Sequence, residues 1–302
     1  MRLSKRFKII KRTKNNIIYW GALFLVKVVS FIPVDTAVKI GKIGGRLAFY
    51  ILKTERKRTL KNLYLAFGNE KNDKEIKIIA RKVFENLGKN LFEVLSLGKG
   101  NKKILEMVEL KEKDVVEKIL KKKKGGFFIT GHIGNWELMA AYLAMQGYKV
   151  NVMARSIYDE RLNKLIVDFR SSYGINTLLR QTKRSAKEII RILSNNEFLG
   201  VLIDQDVKKV EKVKVKFFGR DAYTPSGIAA LCLKKDSEII FGFIVRKEGI
   251  KHQIIIKEAK LPRLTGKMEK DIATLTQYFT SVIEDHIRKY PDQWVWMHKR
   301  WR

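Results

Sequence analysis

The chain has 302 residues, 45% of them hydrophobic, with 63 Lys and Arg against 31 Asp and Glu and a net charge of +32. That size and composition suit one large globular domain, or a domain with an extension, and exclude a low-complexity chain. A single cysteine, Cys232, excludes an internal disulfide and a thiolate-built zinc site, and the charge calls for an anionic partner: nucleic acid, anionic lipid or an acidic protein.

Arg2, Lys5, Arg6, Lys8, Lys11, Arg12 and Lys14 open the chain without an intervening acid, and an apolar run from Ile17 to Pro33 follows, interrupted by Lys27. A spanning helix wants about 20 apolar residues. This segment reads as a membrane anchor, either a short span or a helix in the interface, with a core helix of a soluble domain as the competing reading. Tyr19 and Trp20 suit the headgroup level, and the basic flank keeps the N-terminus cytoplasmic. Pro33-Val34-Asp35 is a poor signal-peptide cleavage site. Residues 35–53 stay apolar and helical, and Gly41, Gly44 and Gly45 read as small residues for close helix packing, because the spacing of a P-loop is missing. Residues 54–67 form a basic amphipathic helix, suited equally to an anionic membrane surface and to solvent. Helical periodicity then runs from Asp73 to Leu97 and over 101–124, where Lys121 to Lys124 and Gly125 form a helix stop.

Beyond Gly126 strand-like and helical runs alternate. Strands are expected at 127–130, 149–153, 198–203, 238–245 and 253–257, and helices at 135–146, 159–172, 184–194, 225–234 and 268–289. That alternation predicts an α/β fold with helices layered on a sheet. Thr224-Pro225-Ser226-Gly227 reads as a helix start with proline in its first turn. Cys232 falls in the apolar stretch 228–233 and reads as a buried structural thiol. The boundaries expected are a leader and anchor over 1–34, a helical membrane-proximal region over 35–124 and an α/β domain over 125–302, with no clean linker and 35–302 forming one compact unit.

The densest chemistry is Gly131-His132-Ile133-Gly134-Asn135-Trp136-Glu137, between the strand-like run ending at Thr130 and the helical run from Leu138. Ligands bind at the carboxyl ends of strands in open α/β sheets. A turn there can fold Glu137 back toward His132, and a base oriented by an acid is what deprotonating a hydroxyl requires. A bare H-x4-E matches freely, and a plain surface or core pair is its bland reading. The flanking glycines suit close backbone approach, and Asn135 adds a hydrogen-bonding group. Asp204-Gln205-Asp206 ends another strand; the two acids read as a weak divalent-metal pair or as loop carboxylates paired with a lysine. Arg155 and Arg170 read as holders of an anion or of a developing oxyanion, against the bland reading of surface arginines. The C-terminal stretch holds Trp294, Trp296 and Trp301, with core packing the simpler reading for the first two; His252 and His286 show no partner pattern. No Gly-x-Ser-x-Gly elbow and no helix-turn-helix, zinc-finger or RNA-binding signature is present.

Taken together these segments resemble the bacterial lipid A biosynthesis acyltransferases, the late lauroyl- and myristoyl-transferring enzymes of the His-x4-Glu type. The resemblance runs through the basic leader, Arg58-Thr59-Leu60-Lys61-Asn62-Leu63, the His132 motif, Met153-Ala154-Arg155, Arg170 with Gly174, Asp204-Gln205-Asp206, and Pro291 to Arg300. It implies a mixed sheet flanked by helices, glycerolipid acyltransferase-like, with an N-terminal helical membrane-associated region. It implies transfer of a fatty acyl chain from acyl carrier protein to a hydroxyl of a lipid A precursor, an anionic glycolipid, at the cytoplasmic face of the bacterial inner membrane. His132 is then the general base and Glu137 its orienting partner; Arg155 and Arg170 handle phosphate or oxyanion; Asn135, Asp204 and Asp206 support. No cofactor and no metal are expected, and no nucleic-acid partner. Phosphatidylinositol mannoside acyltransferases share much of the pattern, which leaves the acceptor open between lipid A precursors and another glycolipid or phospholipid. A membrane-tethered basic nucleic-acid binder is the reading from a different class, and it predicts indifference to His132.

Overall fold

The structure, a computed structural model, describes residues 2–98, 102–157, 159–180, 185–207 and 210–301, excluding the side chains of residues 2–12 and 14, so the basic side chains of the leader lie outside the described residues. The chain begins with helices α1 (Arg2–Val29), α2 (Val34–Ile51), α3 (Lys53–Phe67) and α4 (Asp73–Leu97). Asn72 and Glu75 close a reciprocal capping box on α4, which fixes where that helix starts. Then follow α5 (Ile104–Met107), β1 (Val108–Leu110), α6 (Lys113–Lys121), β2 (Gly126–Thr130), α7 (Trp136–Met145), β3 (Val150–Ala154), α8 (Glu160–Ser172), β4 (Asn176–Leu179), α9 (Ser185–Ser194) and β5 (Phe198–Leu202). The chain ends with β6 (Lys212–Phe217), β7 (Arg220–Pro225), α10 (Gly227–Lys235), β8 (Glu238–Arg246), β9 (His252–Glu258) and α11 (Met268–Lys289).

The main sheet has the order β1-β9-β8-β2-β5-β3-β4, parallel except where β9 runs antiparallel to β8, so the sheet is mixed. β2 is its central strand, flanked by parallel β5 and β8. Alternate residues of these strands feed two cores. Phe127, Ile129, Leu199, Val201, Phe241 and Phe243 pack on the side of α4, α9, α10 and α11. Ile240, Ile244, Ile254 and Ile256 pack on the side of α6 and α7. Helices cover both faces, which is why the strands read as continuous apolar runs.

The region 101–124 is not one helix. Ile104–Met107 is a single turn, and β1 joins the sheet edge beside β9 before α6 begins. Pro225 ends β7 and stands outside α10, whose N-cap position is Ser226. Lys122 and Lys124 pair with Glu238, Glu258 and Asp236 on the surface.

α2 lies against α4 at backbone distance. A Cβ at Gly41 would strike the carbonyl of Gly88, and one at Gly45 the carbonyl of Phe84. The opposite side of α2 exposes Ile40, Ile43, Leu47, Tyr50 and Ile51, α1 exposes Ile17, Trp20 and Phe24, and Phe31 is exposed just beyond the end of α1. Among the described residues no helix is long and apolar enough to cross a membrane. Gly45→Val should force α2 off α4 and cost about 1–3 kcal/mol, the usual range for overpacking. Gly44→Ala, with open space at its Cβ, should be neutral or stabilising by about 0.5–1 kcal/mol. Thermal denaturation of the two variants separates the effects.

Candidate active site

The central strand β2 delivers His132 to the carboxyl end of the sheet. The turn after it needs Gly134, whose φ is +60° and whose missing Cβ leaves room for the carbonyl of Ile244. β5, the neighbour of β2, ends just before Asp204, and this side chain is fully buried. Its Oδ1 lies 2.8 Å from His132 Nδ1, and its Oδ2 accepts from the His132 backbone N–H at 2.9 Å and from Trp294 Nε1 at 2.7 Å. Burial alone raises the pKa of such a carboxyl. The charge and hydrogen bonds of His132, with the Trp294 indole, more than offset this, and Asp204 titrates below the ordinary carboxylate range. An ionised Asp204 at Nδ1 sets the tautomer: the proton sits on Nδ1, leaving Nε2 as the acceptor. The Gln205 side-chain nitrogen lies against the His132 ring, 3.0 Å from Nδ1 and 3.2 Å from Nε2, and 2.6 Å from His298 Nε2. Burial, reinforced by the nearby His132, pushes His298 down to about 4.

Glu137 occupies the first turn of α7 and faces away from His132 toward α8. Arg170 donates to it twice, Nε to Oε2 at 2.9 Å and Nη2 to Oε1 at 2.6 Å. This bidentate pair is 22% exposed at Glu137 and 14% at Arg170. The carboxylate bonded to the imidazole is therefore Asp204, and the turn does not fold Glu137 onto it. Asn135 caps α7, accepting from Leu138 N–H at 3.3 Å. Asp206 pairs with Lys212 at 3.0 Å, the lysine pairing that competes with a metal reading of Asp204 and Asp206. Arg155 follows β3 and is exposed.

The motif loop is held from beneath by α4 and from the side by the C-terminal segment. Ile133 bridges Trp294 in antiparallel fashion, Gly134 N–H donates to Gln293 O at 2.9 Å, and Val295 N–H donates to His132 O at 3.2 Å. Asn62 on α3 donates to the carbonyls of Trp296 and His298 at 2.8 and 2.7 Å, and Arg58 donates to Met297 O. On α4, Asn86, Asn90 and Glu93 share one face. They meet Asp292 O, Gly134 O and the Asn135 amide in turn. Glu93 is fully buried, its carboxylate also accepting from both terminal nitrogens of Arg246 at 2.9 Å and lying 3.0 Å from His252 Nε2. Burial raises its pKa, and His252 and Arg246 more than reverse this, lowering it to about 2.

A cavity of about 1360 Å³ opens at His132, Glu137, Arg170 and Gln205. It continues down one face of the sheet past Phe128, Val152, Leu143 and Met139 to Val150 and Phe198, at the far ends of their strands. The mouth is charged, the stretch below it is apolar, and Lys149, Asn195, Asn196 and Glu197 line the far end. Glycine at position 200, mid-way along β5, leaves this face of the central sheet open.

The structure brings the expected site residues His132, Glu137, Arg155, Arg170 and Asp206 around this one cavity. Sequence reasoning does not find Gln205, Trp294 or Glu93 as parts of the site, nor Arg246 and His252. The signal for the α4 stripe is present, since Asn86, Asn90 and Glu93 recur at helical spacing within an otherwise apolar face. Glu93→Ala leaves Arg246 buried and unpaired, and should cost about 3–5 kcal/mol in urea unfolding. Because the folded pKa of Glu93 lies below its ordinary 4.5, its contribution is present above that value and should be lost as pH falls from 4.5 toward 2. Glu93→Gln should remove that part of the acid dependence.

With this geometry in hand, comparison with known proteins is informative. The family model for bacterial lipid A biosynthesis acyltransferase matches residues 4–302. A lipid A biosynthesis lauroyltransferase of Escherichia coli (strain K12) is 24% identical over 292 residues, 94% of this chain and 90% of the relative. A lipid A biosynthesis acyltransferase 2 of Shigella flexneri is 24% identical, covering 93% of this chain and 90% of its own. A phosphatidylinositol mannoside acyltransferase of Mycolicibacterium smegmatis (strain ATCC 700084 / mc(2)155) is 23% identical over 180 residues, 59% of this chain and 57% of its own. The chain belongs to the bacterial lipid A biosynthesis acyltransferase family, and is an acyltransferase.

Proposed function

We propose that the protein moves a fatty acyl chain from acyl carrier protein to a hydroxyl of a lipid A precursor, with His132 Nε2 as general base. The observation that carries this reading is the Asp204-anchored imidazole at the mouth of a deep apolar cavity. The acyl chain lies in the cavity, its thioester carbonyl near Nε2. The acceptor oxygen attacks the carbonyl carbon while its proton passes to Nε2. Collapse of the tetrahedral intermediate breaks the C–S bond, and the imidazolium returns the proton to the leaving thiolate. Asp204 stabilises the imidazolium that forms in between. The Gln205 amide nitrogen lies beside the His132 ring and His298, and it can donate to the oxyanion once substrate displaces one of those contacts. Glu137 serves indirectly in this scheme: it fixes Arg170 at the mouth, leaving the Nη1 end of the guanidinium to donate toward substrate.

The protein works at the cytoplasmic face of the inner membrane. Its exposed apolar residues on α1 and α2, with Lys27, Lys39, Lys42 and Arg46 among them, suit helices lying in the interface rather than spanning it. The basic surface favours both substrates, an acidic carrier protein and an anionic glycolipid. The mannoside acyltransferase relative supports a second reading in which the acceptor is another glycolipid.

Acyl transfer in detergent micelles tests the reading, with a panel of carrier-protein thioesters and a tetraacylated lipid A precursor. His132→Ala should lower the rate by ~10²–10⁴. Asp204→Asn should fall by a comparable factor, because an amide can present its donor to Nδ1 and favour the wrong tautomer. Release of free acyl chains without transfer, still dependent on His132, redirects the acceptor to another lipid. Thioester turnover that ignores His132 removes the mechanism.

A further inference from the structure

β3 and β4 are neighbouring parallel strands, and their last paired residues are Ala154 and Leu179. One step further each strand presents an arginine, Arg155 and Arg180. The register holds there, since Arg180 N–H donates to Ala154 O at 2.8 Å. The two backbones therefore leave the strand ends side by side, one strand spacing of ~4.8 Å apart. Both line the mouth of the cavity that His132 opens into.

The pair lines the cavity mouth without counter-charge. Arg170 is taken up by Glu137, Arg161 by Asp159, Arg246 by Glu93 and Arg288 by Glu70 and Glu284. Among the described residues neither the Arg155 nor the Arg180 guanidinium has a hydrogen-bond or ion-pair partner. Arg180 is partly buried, and its pKa is lowered first by that burial and then by the charge of Arg155. Holding two like charges together in a partly desolvated mouth is unfavourable unless an anion completes the site.

The geometry points to a phosphate subsite at Arg155 and Arg180 that takes a phosphomonoester of the acceptor lipid. The assignment rests on the acyl-transfer reading for its acceptor. Charge chooses the monoester. It carries about −1.5 to −2 at neutral pH, matching two guanidiniums, whereas the phosphodiester of a carrier-protein arm carries a single charge. Position agrees. In the order β2-β5-β3-β4, the arginines lie two and three strands from the strand that carries His132, roughly 10–14 Å at the usual spacing. An anion held there lies to the β4 side of the cavity mouth, away from the strand that carries His132. It positions the headgroup while a hydroxyl elsewhere on the same molecule reaches Nε2.

The test compares a tetraacylated lipid A precursor bearing its phosphates with the same lipid stripped by a phosphatase, using the full-length protein in detergent micelles. Direct binding and acceptor KM are both read, for wild type and for Arg155→Gln/Arg180→Gln. In wild type the phosphorylated lipid should bind ~10–100-fold more tightly than the stripped one, and the double variant should bring that ratio close to one. The KM for the carrier thioester should stay constant. Thermal stability should hold or rise, since the variant removes a like-charge contact. A ratio unchanged in the variant overturns the subsite, and so does a rise confined to the thioester KM, which would assign the arginines to the donor. Wild type that binds the phosphorylated lipid through these arginines yet transfers no acyl chain would remove the transfer reading and leave the subsite standing.

Discussion

The buried carboxylate of Glu93 is the point on which the motif loop rests. It gathers Arg246 from β8, His252 from β9 and Asn135 from the loop itself onto one side chain of α4. Buried charges persist only when paired and hydrogen-bonded, and removing one partner leaves the others uncompensated. The helix, the antiparallel corner of the sheet and the start of α7 therefore cannot shift independently. Asn135 transmits the constraint, since one amide both meets Glu93 and caps α7.

On this base the two carboxylates near the cavity mouth divide their work by environment. Asp204 is fully buried and held by an indole, an imidazole and a backbone N–H, so its charge is fixed and local. Glu137 is partly exposed and spends both oxygens on one guanidinium. The first arrangement fixes the orientation of an imidazole; the second fixes a guanidinium at the cavity opening. Spacing along the chain does not distinguish these roles, because Glu137 is five positions from His132 while Asp204 is 72 away.

How much was legible in the sequence follows from that separation. The alternation beyond Gly126 is readable because β2, β5 and β8 are covered by helices on both faces, and their apolar runs stand out from the helical periods between them. β1 and β4 are edge strands of three and four residues, too short to impose a period. The hairpin of β6 and β7 did carry a signal, the alternating Lys212-Val213-Lys214-Val215-Lys216-Phe217, within a stretch otherwise dominated by charge. His132 and the acids after β5 are readable as polar groups at strand ends. The pairing of His132 with Asp204 is not, since it depends on which strands are neighbours. Nor is the link from Glu93 to Arg246 and His252, 153 and 159 residues distant, because nothing local in α4 names its partners.

The clamp between α3 and the C-terminal segment bears on how the molecule folds. Asn62 meets the Trp296 carbonyl across 234 residues, and Trp294 reaches Asp204 across 90. Closing such long loops costs chain entropy that only later contacts return, whereas α2 can dock on α4, and β2 on its following helix, over short separations. Chain-closure entropy thereby favours the local scaffold before the clamp around His132. A chain with its helices docked but this clamp still open would already carry secondary structure while the His132 ring lacks the fixed Asp204–Trp294 frame, so spectroscopic signals of secondary structure would precede those of the ordered site.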